Sequence, residues 1–154
     1  MDALTVTPDT PASPDVAALL TRHFELMRAT SPEESCHVMT PDTLLARDVS
    51  LFAARAGEAV LGVGALAVIA PGHGELKSMH TAAEARGRGV ARAVLAALMD
   101  AARAQGLTRL SLETGSADEF AAARARYTAH GFEPCPPFGD YVLDPLSVFM
   151  TRVL

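Results

Sequence analysis

A glycine- and arginine-rich segment carries the clearest chemical signal in the sequence. It reads Arg86-Gly87-Arg88-Gly89-Val90-Ala91, between a strand-like and a helix-like pattern. Glycine lets the backbone approach a ligand closely, and the first N–H groups of a helix lack intrahelical acceptors and lie at the positive end of its dipole. Arginine adds fork-shaped donors that match phosphate oxygens. The segment therefore predicts a phosphate or pyrophosphate site, with a plain solvated turn as the alternative.

The elements around this segment predict one βαβ unit. The apolar periodicity indicates a strand over 75–81, a helix over 89–105 and a strand over 108–114. Gly106 stands where a left-handed C-cap would end the helix. Two strands joined in this way should be parallel, with a right-handed crossover.

The rest of the chain predicts antiparallel strands and further helices around that unit. The predicted elements are a helix over 14–29, a short helix over 41–47, strands over 49–55 and 59–69, a helix from a Ser116/Glu119 capping box to Gly131, and strands over 132–135 and 147–153. We expect an α/β (α+β) fold in one domain over residues 1–154. Its mixed, mostly antiparallel sheet should have about six to seven strands, one parallel βαβ crossover and helices on both faces.

Composition narrows the class of protein. A chain of 154 residues that is 49% hydrophobic and 20% charged has the size of one domain and is too apolar to be disordered. Two cysteines exclude a disulfide scaffold and fit a reducing compartment. We expect a cytoplasmic protein, because the N-terminus lacks a signal-peptide pattern and the longest apolar stretch, 59–70, is too short for a bilayer. The net charge of −5 argues against nucleic-acid binding.

The motif R-x-x-G-x-A, formed by Arg86, Gly89 and Ala91, resembles the acetyl-CoA signature of the GNAT superfamily of N-acetyltransferases. The order of elements is similar over nearly the whole chain, and GELKSM, RGRGVA, LSLETGS and ARYTAHGF resemble a bacterial subgroup of small acetyltransferases with loosely defined acceptors. The resemblance implies that the amides of residues 86–91 hold the CoA pyrophosphate. The pantetheine would bond to the backbone near Met79 and Thr81, where two parallel strands splay apart around the thioester.

The same resemblance implies catalytic residues. Acetyl transfer to an amine needs a neutral nucleophile, a stabilised oxyanion and a proton for the departing thiolate. Tyr127, four residues before Gly131 in a Y-x-x-x-G-F ending, is the expected general acid; a core tyrosine with a backbone partner is the alternative. Glu75 begins the strand at the position where some family members carry a general base; an exposed glutamate at the end of a strand is the alternative. Glu113 is expected on the acceptor side, with a solvated face as the alternative.

Other candidates carry weaker signals. His37 is predicted as an acceptor-side wall and Phe138 as part of a loop over the acceptor; a structural histidine and a plain turn are the alternatives. The five histidines lack metal-ligand spacing, so no metal site is predicted. The G-x-G-x-x-A pattern at 62–67 lies inside a predicted strand and does not indicate a dinucleotide site. Cys36 beside His37 has no orienting acid, so a cysteine nucleophile is not predicted.

Together these observations predict an acyl-CoA-dependent N-acetyltransferase. We expect transfer from acetyl-CoA to a primary amine of a small molecule or peptide, by direct attack in a ternary complex. A non-catalytic CoA-binding or sensory module of the same fold is the alternative. Neither a nucleic acid nor a membrane is expected as a partner. The resemblance allows a homodimer, although the sequence shows no specific interface, and Glu75, Glu113 and water all remain open as the general base.

Overall fold

A computed structural model of the protein describes residues 3–30 and 49–154. The predicted short helix over 41–47, Cys36 and His37 lie outside these residues. The elements in chain order are β1 (Leu4–Asp9), α1 (Pro14–Thr30), β2 (Val49–Ala56), β3 (Ala59–Ala70), β4 (His73–Thr81), α2 (Val90–Ala104), β5 (Arg109–Gly115), α3 (Ala121–Ala129), β6 (Glu133–Pro134) and β7 (Ser147–Val153).

The seven strands found in the described residues form one sheet, in the order β1-β2-β3-β4-β5-β7-β6. Neighbouring strands are antiparallel except for β4 and β5, which are parallel and are connected through α2. The mixed, mostly antiparallel sheet with one parallel crossover is the fold class that the sequence predicts. Within the described parts of the chain, no helix is long and apolar enough to cross a membrane.

The parallel pair β4–β5 separates part of the way along its length. Pairing runs only from His73 opposite Arg109 to Leu76 opposite Leu112, although both strands continue beyond these residues. The register of β4 against β3 shifts in the next stretch, where Ser78 adopts a φ of 56°. An irregularity of this kind bends a strand. The result is an open gap between β4 and β5, which confirms the predicted splay.

Helix α2 packs closely on β3 because β3 carries glycines there. A Cβ atom added to Gly64 would lie 2.7 Å from a methyl carbon of Val94 and 2.8 Å from one of Leu98. Gly62 meets Val90 in the same way, at 2.5 Å. The two glycines thus leave room for the buried stripe of the helix, which explains the G-x-G pattern without a nucleotide.

Two features differ from the sequence expectation. Strand β1 is absent from the sequence prediction. It contains Pro8 and, among the described strands, pairs with β2 alone; an edge strand tolerates proline. The predicted capping box is wrong: Ser116 Oγ donates to the Pro145 carbonyl at 2.7 Å. A turn of 3-10 helix, Asp118–Phe120, leads into α3 without a side-chain cap.

Candidate active site

Residues 86–89 form an exposed turn directly before α2, whose first residues are Val90 and Ala91. Gly87 and Gly89 have φ values of 79° and 78°, and an added Cβ at either position would meet nothing within 4 Å. Glycine is therefore favoured at both positions by the left-handed backbone conformation and not by close packing. Within the described part of the chain, no protein group accepts a hydrogen bond from the backbone N–H groups of residues 87–92. The turn thus offers free donors at the positive end of a 15-residue helix.

A cavity of about 860 Å³ lies beside this turn, between α1, β4 and α3. Arg88 is exposed and lies outside its lining, whereas Arg92, in the first turn of α2, contributes to it. The lining includes seven of the eight residues predicted to bind the cofactor: Met79, Thr81, Arg86, Gly87, Gly89, Val90 and Ala91.

A second cavity of about 130 Å³ occupies the gap between β4 and β5. Its polar wall contains Glu75, Lys77, Glu113, Tyr127 and Tyr141. The two cavities share one wall, which we call the junction. The junction consists of the six residues that line both cavities: His23, Met27, Met79, Phe120, Ala123 and Tyr127.

Tyr127, on α3, points its side chain into this shared region. Its ring packs edge-on against Phe132 at a centroid distance of 5.9 Å, and the residue is only 6% exposed. No described residue hydrogen-bonds its hydroxyl, so the backbone-partnered core tyrosine of the alternative interpretation is not observed. Burial, reinforced by the charge of Glu113 and opposed by that of Arg126, raises the pKa of Tyr127 to about 12. The hydroxyl therefore remains a proton donor at neutral pH.

Glu75 is buried on β4, with 4% exposure, so the exposed strand-end alternative is wrong. Its Oε2 accepts a 2.6 Å hydrogen bond from the Tyr141 hydroxyl and lies 3.2 Å from Lys77 Nζ. Lys77 also donates to the Tyr141 hydroxyl at 3.3 Å. Burial and then the bond to Glu75 raise the pKa of Tyr141. The three side chains form a connected group on one wall of the smaller cavity.

Sequence reasoning missed Lys77 as a site residue and placed Tyr141 only within the 138–141 loop predicted over the acceptor. Lys77 lies two positions from Glu75, and side chains two apart in a strand share a face, so that spacing was a usable signal. Tyr141 is 66 positions from Glu75 along the chain. Its hydrogen bond depends on how the 135–146 loop folds back over the sheet, which no local pattern indicates.

The other predicted acceptor-side residues have different outcomes. Glu113, half-buried on β5, lines the smaller cavity. Phe138 lines neither of the two cavities; its ring packs 5.2 Å from that of Tyr141 and 5.9 Å from that of Phe149. Phe138 therefore supports Tyr141 from behind, and its contact with an acceptor remains a prediction.

His23, at the junction, contacts His80, which lines only the larger cavity, and no sequence pattern connects the two residues. His23 Nδ1 on α1 is 3.2 Å from His80 Nδ1 on β4, although the residues are 57 positions apart. Burial lowers the pKa of each ring to about 4, helped by His80 in the case of His23 and by Arg22 and Arg86 in the case of His80. Both imidazoles are thus neutral at pH 7. Among the described residues, no group of three or more His, Cys, Asp or Glu side chains could hold a metal ion.

Known proteins with similar sequences and structures agree on one family. Residues 15–132 match the Acetyltransferase (GNAT) family. The Bacillus subtilis protein YsnE, described as an uncharacterized N-acetyltransferase, is 42% identical over 139 residues, which cover 90% of this chain and 92% of that protein. The IAA acetyltransferase of Azospirillum brasilense is 36% identical over 156 residues, with 100% of both chains covered.

A solved structure gives the same result in three dimensions. A Klebsiella pneumoniae protein described as an acyl-CoA N-acyltransferase superposes with a TM-score of 0.79 at 30% identity, covering 98% of this chain and 97% of that one. The turn at the start of α2, the splayed parallel strands and these similarities all point to the same conclusion. The chain belongs to the GNAT family and is an N-acetyltransferase.

Proposed function

We propose that the protein transfers the acetyl group of acetyl-CoA to a primary amine of a small molecule or peptide, by direct attack in a ternary complex. The meeting of two cavities at Tyr127 carries this proposal. The larger cavity reaches the anion-binding turn at residues 86–91, and the smaller one opens between the splayed strands. A cofactor that extends from the turn would bring its thioester to the junction, where an amine in the smaller cavity can attack it.

The cofactor would be held by main-chain groups along its length. The free N–H groups at the start of α2 would bind the pyrophosphate, and the guanidinium groups of Arg86 and Arg88 would add charge. Met79 and Thr81 lie where β4 no longer pairs with β5, so one edge of β4 is available for ladder hydrogen bonds. An extended pantetheine with two amide groups suits such an edge.

Two groups would carry the proton transfers, and a third would contact the acceptor. Tyr127 would protonate the thiolate as the C–S bond breaks, since its hydroxyl is un-ionised and lines both cavities. Glu75 would take the first proton from the incoming ammonium group; its Oε1 has no protein partner among the described residues. Glu113 would face the acceptor from β5. The roles of His37 and Phe138 in acceptor binding remain predictions.

A covalent acetyl-enzyme intermediate has little support among the described residues. Cys135 lines neither cavity, and burial raises the pKa of its thiol. A less acidic thiol forms less of the thiolate that would attack the thioester. Direct transfer between the two bound substrates is therefore the favoured route. Because acetyl-CoA is an intracellular metabolite, we place the reaction in the cytoplasm.

Ligand binding is the first test of this proposal. Melting temperature would be measured with acetyl-CoA, desulfo-CoA and adenosine bisphosphate. A ligand at about 100 times its dissociation constant should stabilise the protein by about 2.7 kcal/mol. CoA release would then be measured with a panel of primary amines; IAA is added because a relative is described as an IAA acetyltransferase. Failure of all three nucleotides to raise the melting temperature contradicts the proposal.

The Tyr127→Phe variant tests the chemical step. We expect kcat to fall by about 10- to 100-fold, with acetyl-CoA affinity close to wild type, because the variant loses only the proton donor. The variant should retain some activity, because the CoA thiolate can leave near neutral pH without being protonated. A protein that binds acetyl-CoA but releases CoA at the background rate with every acceptor would instead be a non-catalytic CoA-binding module.

A further inference from the structure

The two carboxylate oxygens of Glu75 have different surroundings. Oε2 accepts the 2.6 Å hydrogen bond from the Tyr141 hydroxyl and lies 3.2 Å from Lys77 Nζ. No described residue donates a hydrogen bond to Oε1. Because Glu75 lines the smaller cavity, its carboxylate is anchored through one oxygen and leaves the other available to a bound acceptor.

The two anchors of this carboxylate also contact each other. Lys77 Nζ donates to the Tyr141 hydroxyl at 3.3 Å and lies 5.7 Å from the centre of its ring. The exposed fraction of the side chain is 19% for Lys77 and only 6% for Glu75. A carboxylate so far removed from water needs charged or polar partners to stay ionised, and the ammonium and hydroxyl groups supply them. Since a general base must be ionised before it can take a proton, these contacts support that role.

Aromatic packing holds the Tyr141 hydroxyl in place. The Tyr141 ring lies 5.2 Å from that of Phe138 and 5.4 Å from that of Phe149, which is buried on β7. These contacts fix the ring and therefore the direction of its hydroxyl group. The 135–146 loop, which carries Tyr141, thus contributes to the orientation of a carboxylate that lies on β4.

We propose that Tyr141 and Lys77 are positioning residues that hold Glu75 ionised, with Oε1 presented to the acceptor amine. This proposal rests on the proposed function, in which Glu75 takes a proton from the incoming ammonium group. In that step an N–H bond breaks, an O–H bond forms at Oε1, and the nitrogen keeps the electron pair with which it attacks the thioester carbon. The proton on Glu75 is later released to water. The second proton lost by nitrogen balances the one that Tyr127 gives to sulfur.

Steady-state kinetics of Tyr141→Phe test the positioning role. The variant keeps the aromatic ring and loses only the hydroxyl group. We expect kcat to fall about ten-fold, because the carboxylate is less well oriented. The KM for acetyl-CoA should stay within about two-fold of wild type, because neither Tyr141 nor Lys77 lines the larger cavity. Lys77→Met should also lower kcat. Val142→Ala is the control in the same loop, because Val142 is 74% exposed and lines neither cavity.

The basicity of the amine separates a role in proton transfer from a structural one. The two acceptors would be the fastest alkylamine of the panel and an analogue with a trifluoromethyl group on the amine-bearing carbon. At pH 7 the alkylamine is protonated and needs a base, whereas the analogue is already neutral. Tyr141→Phe should therefore slow the alkylamine about ten-fold and the analogue less than about two-fold. Equal losses with both amines indicate a structural role and overturn the proposal.

A double-mutant cycle identifies the group through which Tyr141 acts. Glu75→Gln should lower kcat with the alkylamine about 100-fold. Adding Tyr141→Phe to that variant should cost less than about two-fold more, because the group that it positions is already lost. A further ten-fold loss shows that Tyr141 acts on another group and overturns the proposal. Wild-type kcat in Glu75→Gln assigns the base to Glu113 or to water and overturns it as well.

Alkaline titration tests the contact without an acceptor. The chain has two tyrosines and no tryptophan, so the absorbance of the Tyr127→Phe variant reports the ionisation of Tyr141 alone. Adding Glu75→Gln should lower the pH at which Tyr141 ionises, because a neighbouring carboxylate disfavours the phenolate. An unchanged titration overturns the proposal even if acetyl transfer is fast.

Failure of the proposed function gives a different result. If the wild-type protein acetylates no amine, both the proposed function and the role of Glu75 as its base are contradicted, whatever the titration shows. Wild-type rates in Tyr141→Phe, by contrast, contradict the positioning role and leave the proposed function intact.

Discussion

Two glycine pairs with the same G-x-G spacing flank helix α2 and serve opposite purposes. Gly87 and Gly89 lie at its N-terminus in left-handed conformations with open space around them. Gly62 and Gly64 lie in β3, where an added Cβ would collide with side chains of the helix. The first pair leaves backbone amides uncovered for a ligand, and the second lets helix and sheet approach each other. Spacing alone does not distinguish these roles; the elements on either side do.

The packed pair should give the largest effect on stability. Gly64→Ala places a methyl group 2.6 Å from the Met79 sulfur and within 2.8 Å of Val94 and Leu98. We expect the free energy of unfolding to fall by about 1–3 kcal/mol because the core is overpacked. Urea denaturation measures this change. An unchanged midpoint would show that α2 does not pack on β3 as closely as the structure indicates.

The exposed pair, Gly87 and Gly89, should give the next largest effect, which we expect on the affinity for acetyl-CoA. Gly89→Ala forces a side chain into a left-handed conformation, which costs about 1–2 kcal/mol, and the turn will relax away from the geometry that presents its amides. We expect the acetyl-CoA dissociation constant to rise about ten-fold, which corresponds to about 1.4 kcal/mol. Titration calorimetry measures the affinity, and Gly106→Ala at the other end of α2 serves as the left-handed control.

Acid should destabilise the folded protein through the histidine pair, by the smallest amount of the three changes. The pKa values of His23 and His80 are about 4 in the folded protein, against 6.5 ordinarily. Between pH 6.5 and 4 the unfolded chain binds protons that the folded protein does not, so stability falls as pH falls. We expect a loss of about 1 kcal/mol between pH 7 and pH 6. A His23→Gln/His80→Gln variant should lose less over this range, and equal losses would contradict the assignment.

The turn at residues 86–91 was easier to place from the sequence than the smaller cavity, for a physical reason. The turn at residues 86–91 is contiguous, and its glycines and the apolar stripe of α2 are local signals. By contrast, the smaller cavity depends on contacts between distant segments, such as Tyr141 with Glu75 and His23 with His80. Glu75 was identified through the family resemblance, but its burial and its partners depend on the loop that covers it.

The two places where the structure differs from the sequence prediction have a common origin in tertiary contacts. Ser116 had the spacing of a helix cap, yet its hydroxyl bonds to Pro145 on the loop before β7. Pro8 lacks a backbone N–H and so disfavours a strand, yet the edge strand β1 accommodates it beside β2. In both places a local preference was outweighed by a neighbour far away in the sequence.

The short parallel pairing between β4 and β5 has a consequence for motion. Because only four residues of each strand are paired, from His73 to Leu76 and from Arg109 to Leu112, a short seam joins the two halves of the sheet at this point. A molecule lying along the open edge of β4 would lengthen that seam. Amide hydrogens on both sides should then exchange with solvent more slowly, so that the bound substrate acts as a temporary strand of the protein.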